Sequence, residues 1–297
     1  MTPGSGQDDR VRGTLMVAGA AIVWSTGGLV ARLIETQDSW TTIFWRSASA
    51  FAALLAFLFY MEGRSALRRF MQMGWPGLVV GLCFASASIS FVIALSLTSV
   101  AKTLVIMSAT PLIAALLGRL FLGEAIGRTT WATIAAVMIG TAVMVSGGDT
   151  DGSLLGDLFA GVIALSLAGA IVTTRSNPHI GMLPATCLGV GIAALVSLPF
   201  ADPLGVSAHD LPIMIVFGAV QLSLGLVLFV SGVRLIPAAH SALLGMIEPI
   251  FGPLWVWIAI GEEPATTVLM IGGAIVILSV AAKTLLDARP RADLPMA

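Results

Sequence analysis

The sequence predicts an all-α integral membrane protein of ten transmembrane helices, arranged as two inverted five-helix repeats. Three observations carry that prediction. The 297 residues are 57% hydrophobic and only 10% charged, with a mean hydropathy of +0.99. A soluble domain carries about 25% charged residues, so the solvent must be lipid. Breaking the chain at charge clusters and Gly/Pro/Asp turns leaves ten apolar stretches, each close to the ~20 residues that cross a bilayer core. Finally, residues 95–126 align without a gap onto residues 233–264 at a constant offset of 138, pairing Pro111 with Pro249, Lys102 with His240 and Gly123–Glu124 with Gly261–Glu262.

The first segment, 14–34, follows a polar tail (1–13) that holds Asp8, Asp9, Arg10 and Arg12. Its apolar stretch is longer than the roughly 7–15 residues of a signal-peptide core, so it reads as a retained helix. Segments 41–60, 75–97, 100–121 and 129–147 complete a first repeat, 14–147. The run Gly147-Gly148-Asp149-Thr150-Asp151-Gly152 marks an outer linker, 148–153. The second repeat, 154–286, holds segments 154–175, 182–200, 212–234, 238–260 and 266–286, and 287–297 form a tail. The joining loops are short, so backbone polar groups must pair within helices or inside the bundle.

Charge placement orients these segments. With the N-terminus in the cytoplasm, twelve of the fifteen Lys and Arg fall inside, Arg64, Arg68, Arg69, Arg175 and Arg234 among them. Only Arg32, Arg46 and Lys102 stay outside, against Asp149, Asp151, Asp202 and Asp210. That positive-inside bias requires an even number of crossings with both termini cytoplasmic. A net charge of -1 with dispersed cations excludes nucleic acid as a partner. Cys83 and Cys187 lie in apolar segments and read as small core residues, neither disulfide nor metal ligands.

Five crossings per half force the second copy to enter from the opposite face, which is the scaffold of a secondary transporter. In the fourth helix Thr103, Met107, Thr110 and Ala114 share one face; their images in the ninth are Ser241, Gly245, Glu248 and Gly252. Such small or polar stripes serve close helix packing or line a polar cavity. Pro111 and Pro249 interrupt these helices at matching points and predict a hinge or gate, with Lys102 and His240 at the helix starts as gate contacts.

Glu248 is the one acidic residue placed near mid-membrane, where a carboxylate must face a cavity, a cation or the bundle interior. It would bind a substrate ammonium, carry a coupling proton or form a structural pair. Arg46 would snorkel to the outer interface, contact a substrate anion or tie helices together. Trp24, in Trp24-Ser25-Thr26-Gly27-Gly28, would pack or wall an amphiphilic pocket, and Ser86, Ser88, Ser90, Gln221 and Ser223 add polar groups at mid-depth. Trp75, Trp131, Trp255 and Trp257 read as interfacial belt residues. Gly123–Glu124 and Gly261–Glu262 read as helix punctuation without chemistry.

The paired P-x(11)-G-E segments, Pro111 to Glu124 and Pro249 to Glu262, resemble the EamA type of the drug/metabolite transporter superfamily. Gly156-Asp157, Trp24-Ser25-Thr26 and Arg46 fit the same pattern, and the resemblance covers residues 14–286. It implies a cavity among helices one to four and six to nine, with helices five and ten peripheral. It also implies export of small metabolites, aromatic and other neutral amino acids among them, across a bacterial-type inner membrane by alternating access. The substrate set expected on the cavity is then Glu248, Trp24, Thr103, Thr110, Ser241, Gly245, Arg46 and Ser90. Drugs or nucleosides are the alternative cargo; a channel or an intramembrane enzyme are alternatives of another class. The sequence has no zinc-protease, nucleophile-elbow or phosphate-loop motif, so no catalytic residue, metal or cofactor is expected.

Overall fold

The computed structural model describes residues 5–36, 38–98, 103, 106–146, 153–260 and 267–288. The regular elements among them are helices: α1 (Ser5–Ser25), α2 (Gly27–Arg32), α3 (Ser39–Glu62), α4 (Ala66–Gln72), α5 (Gly74–Leu97), α6 (Thr110–Leu122) and α7 (Arg128–Val145). Then come α8 (Leu154–Ser176), α9 (Leu183–Ser197), α10 (Asp210–Val216), α11 (Ser223–Val233), α12 (Ala238–Gly245), α13 (Glu248–Ile260) and α14 (Thr267–Ala288). A π-wound stretch, Phe217–Leu222, joins α10 to α11.

Seven helical runs among the described residues are long and apolar enough to cross a membrane: 8–32, 39–72, 74–97, 154–176, 183–200, 210–233 and 238–260. Shorter apolar helices lie at 110–122 and 270–283. Large side chains such as Leu120, Phe121, Leu154 and Leu195 point outward, as a lipid-facing surface requires.

The helices depart from expectation in three places. α1 begins at Ser5, within the stretch expected to be a tail, because a helix can continue through polar residues once it has left the membrane. The loop expected between the second and third segments contains α4, which exposes Leu67 and Met71 beside Arg68 and Arg69, the composition of an interfacial helix. Trp255 is no belt residue: its Nε1 donates to Ser25 Oγ at 2.9 Å, inside the bundle. Trp75 is exposed, as a belt position would be. Lys102, Gly261–Glu262 and most of the expected linker lie outside the described residues.

The packing follows the repeat. α5 lies on α8, and the repeat-related pair, α11 on α1, is also packed. α6 lies on α8, and its image, α12 with α13, lies on α1. α9 packs on α5 while α3 packs on the π-wound stretch. The pairs α3–α9 and α7–α14 each map onto themselves.

Polar contacts at the helix ends fall into two groups. In one, Ser153 N donates to Leu97 O (3.0 Å), Thr36 N to Asp210 Oδ2 (3.1 Å) and Asp202 N to Thr41 Oγ1 (2.8 Å). In the other, Arg175 Nε donates to Glu124 Oε1 (3.3 Å), Ala238 N to Glu124 Oε2 (3.3 Å) and Arg175 Nη1 to Arg234 O (2.8 Å). These groups sit at opposite ends of α8, and again at opposite ends of the α10–α11 run, as alternating crossings demand. Gly123 does close α6 in the left-handed region, at φ 67°. Glu124 is more than punctuation, however, since it joins the end of α6 to α8 and to the start of α12.

Candidate functional site

The site is assembled from helix interruptions. α1 stops at Ser25 and α2 begins at Gly27, while Ser25 Oγ donates to Ile22 O (2.6 Å) and Thr26 Oγ1 to Val23 O (2.7 Å). α12 ends at Gly245, the chain turns through Met246 and Ile247, and α13 restarts at Glu248 with Pro249 second. Proline was expected to kink a continuous helix. Instead the helix ends and a new one begins, because the first turn is the one place where proline's missing N–H costs nothing. Pro111 likewise follows Thr110 at the start of α6.

Between these breaks lies a cavity of about 80 Å³. A cavity needs only ~10–15 Å³ to hold one water, so this one has room for several, or for a small solute in their place. Among the described residues its wall carries one cation and one carboxylate, Arg46 and Glu248, with Trp24, Ser88 and Gln221 as further polar groups. The remainder is apolar, including Phe84, Phe91, Met107 and Leu226.

Arg46 does not snorkel; it is 7% exposed. Its guanidinium lies 4.6 Å from the centre of the Phe217 ring and 5.8 Å from that of Phe91, within the range of cation–π attraction. Nη1 donates to Ser88 Oγ at 3.4 Å, and Nε, though buried, has no hydrogen-bond partner. The π-wound stretch makes this placement: at Gly218 a Cβ would collide with Arg46 O and Ser49 Oγ, so the two backbones cross there only because position 218 is glycine. Glu248 is half-buried at the first turn of α13, where the helix dipole favours a carboxylate. Arg46 and Glu248 act on each other through their charges, yet no ion pair between them occurs among the described residues.

Gln221 anchors the break in the first helix. Its Nε2 donates to Trp24 O (3.0 Å) and to Val23 O (3.3 Å), which also accepts from Thr26, where α1 stops. The Trp24 indole lies 5.1 Å from the Phe229 ring and fills the space beside Gly225 that a side chain would occupy. Phe84 meets Phe229 edge-on at 6.1 Å, so an aromatic layer closes one side of the cavity.

Of the expected substrate residues, Trp24, Arg46 and Glu248 come together on this cavity, whereas Thr103, Thr110, Ser241, Gly245 and Ser90 are not on its wall. Thr110 Oγ1 donates to Met107 O (2.7 Å) and Ser241 Oγ to Pro237 O (3.2 Å), so both hydroxyls serve their own helix. Thr103 and Ser90 are buried, and Gly245 borders open space. His240 Nε2 lies 3.4 Å from Thr14 Oγ1, at the same end of the bundle as Glu124. Sequence reasoning missed the aromatic wall, and of the third-helix serines it named it placed Ser90 rather than Ser88 in the substrate set. The signal was present: Phe84, Ser88 and Phe91 are spaced i, i+4, i+7 and share one helix face.

A model of the EamA-like transporter family matches residues 11–146 and matches again at residues 154–284. A known crystal structure superposes with a TM-score of 0.78 at 20% identity, covering 93% of this chain and 98% of that chain, and shares its fold. No curated protein matches in sequence. With one match in each half, together spanning nearly the whole length, the chain belongs to the EamA-like transporter family and is a multi-pass membrane transporter of small solutes.

Proposed function

We propose that this transporter exports small zwitterionic metabolites, neutral and aromatic amino acids foremost, across a bacterial-type inner membrane by alternating access. The observation that carries the reading is the pairing of Arg46 and Glu248 on one small, otherwise apolar cavity. A buried charge is costly unless it is compensated. An amino acid brings one carboxylate for Arg46 and one ammonium for Glu248, so the bound site stays balanced. A singly charged solute would leave one group unmatched. The rings of Trp24, Phe84 and Phe91 suit an apolar or aromatic side chain.

Alternating access is supported by the packing, which maps onto itself when the repeats are exchanged, and by helix breaks at repeat-related positions. Ten crossings, two inverted repeats at 14–147 and 154–286, and cytoplasmic termini agree with the two groups of end contacts. Arg175 and Arg234 lie together in the group that would face the cytoplasm. Export is the direction the family resemblance implies.

The test is efflux from proteoliposomes loaded with labelled phenylalanine, leucine or threonine, with and without a pH gradient. Saturable efflux is expected, competed by other zwitterions but not by N-acetylated or decarboxylated analogues. Acceleration by the gradient would add proton coupling. Movement of drugs or nucleosides in place of amino acids would overturn the substrate class, and equal competition by singly charged analogues would overturn the two-charge site.

A further inference from the structure

Gln221 is buried in the π-wound stretch, and its amide cannot turn. Two backbone carbonyls, Val23 O and Trp24 O, stand 3.3 Å and 3.0 Å from one end of that amide. A carbonyl only accepts hydrogen bonds, so the end facing them must be the NH₂ group. Oε1 is therefore the end left over. It is buried, it has no hydrogen-bond partner, and the residue lines the cavity that holds Glu248 and Arg46. A buried acceptor without a donor is unfavourable, and such groups in native proteins call for an explanation.

The unmet polar groups on the cavity's residues divide by sign. Arg46 Nε and Trp24 Nε1 are donors without an acceptor, and Gln221 Oε1 is an acceptor without a donor. Glu248 adds a carboxylate to the acceptor side. A primary ammonium carries three N–H donors, more than one carboxylate contact uses.

We infer that Gln221 Oε1 is a second acceptor for the substrate's ammonium, beside Glu248, and that Gln221 thereby sets the preference for a free amino group. This rests on the zwitterion reading above and assigns that site a further specificity residue. The helix break in α1 then has a role in recognition: the carbonyls beside it, Val23 O and Trp24 O, fix the orientation of the amide that reads the ligand.

Direct binding of tritiated L-phenylalanine and of tritiated 3-phenylpropionate, which lacks the ammonium, tests the inference on purified full-length protein. Wild type is expected to prefer phenylalanine. Gln221→Met should weaken phenylalanine binding by about tenfold or more, the usual cost of a hydrogen bond to a charged group, and leave 3-phenylpropionate within about twofold. Gln221→Asn keeps the amide and draws its oxygen back by one methylene, so it should act in the same direction even if the methionine variant fails to fold. Equal weakening of both ligands would overturn the inference and reduce Gln221 to a brace for the helix break. Unchanged binding of both would overturn it as well. Loss of preference in the wild-type protein is a different result, because it removes the zwitterion reading itself.

Discussion

At Thr110 and at Glu248, one repeat length apart, a transmembrane segment stops and begins again with a proline as the second residue of the new helix. The backbone solution is shared, but the side chains diverge. Thr110 is buried and its hydroxyl closes on Met107 O at 2.7 Å, satisfying a carbonyl of its own break. Glu248 turns to the cavity, opposite in charge to Arg46. The first copy contributes Met107, an apolar wall, where the second contributes a carboxylate. Duplication thus supplies the interrupted scaffold twice, and divergence at one position places the charge on a single side of the site.

The largest effect that would break this comparison is expected at Glu248. Glu248→Gln keeps the shape and removes the charge, so transport of neutral amino acids should fall by about 100-fold, in the range of a lost charge-assisted hydrogen bond. Thermal stability in detergent should be retained. If divergence is what matters, moving the carboxylate to the other copy (Thr110→Glu with Glu248→Thr) should not restore activity, because position 110 is not on the cavity wall. Rescue by that exchange would mean the two breaks are interchangeable.

Gly218→Ala should come next. The methyl group would enter the space of Arg46 O and Ser49 Oγ, forcing α3 from the π-wound stretch at a cost of about 1–3 kcal/mol. A lowered melting temperature together with weakened substrate binding is expected; an unchanged protein would mean the crossing is looser than its geometry indicates. Glu124→Ala should cost less, about 1 kcal/mol, since its contacts to Arg175 and Ala238 are partly exposed. Its readout is the melting temperature, and Arg175→Ala should produce a drop of similar size.

Much of the fold was legible in the sequence because lipid imposes coarse rules, apolar length above all, and because the repeat is long enough to align. Arg46, Glu248 and Trp24 could be singled out because a charge or an indole at mid-depth needs a reason to be there. The hydroxyl residues could not be sorted, since Thr110 and Ser241 satisfy their own backbone in a way that composition does not reveal. Helix breaks in place of kinks, and the π-wound stretch that orients Gln221, were hidden for a similar reason. Local winding depends on which carbonyls find partners across the bundle, as Val23 and Trp24 find Gln221 from nearly two hundred residues away.

The smallest effect sharpens the comparison most. Thr110→Val replaces a hydroxyl by a methyl group of nearly equal size, at a position that accepts a β-branched residue already. The bond to Met107 O would be lost, leaving that carbonyl unpaired at a cost of about 1 kcal/mol in stability. Nothing on the cavity wall changes, so amino-acid transport should stay within about twofold of wild type. A loss approaching that of Glu248→Gln would place Thr110 in the transport cycle and make both breaks functional. A near-normal rate, beside the collapse expected at its image, would assign the chemistry to one copy and the scaffold to both.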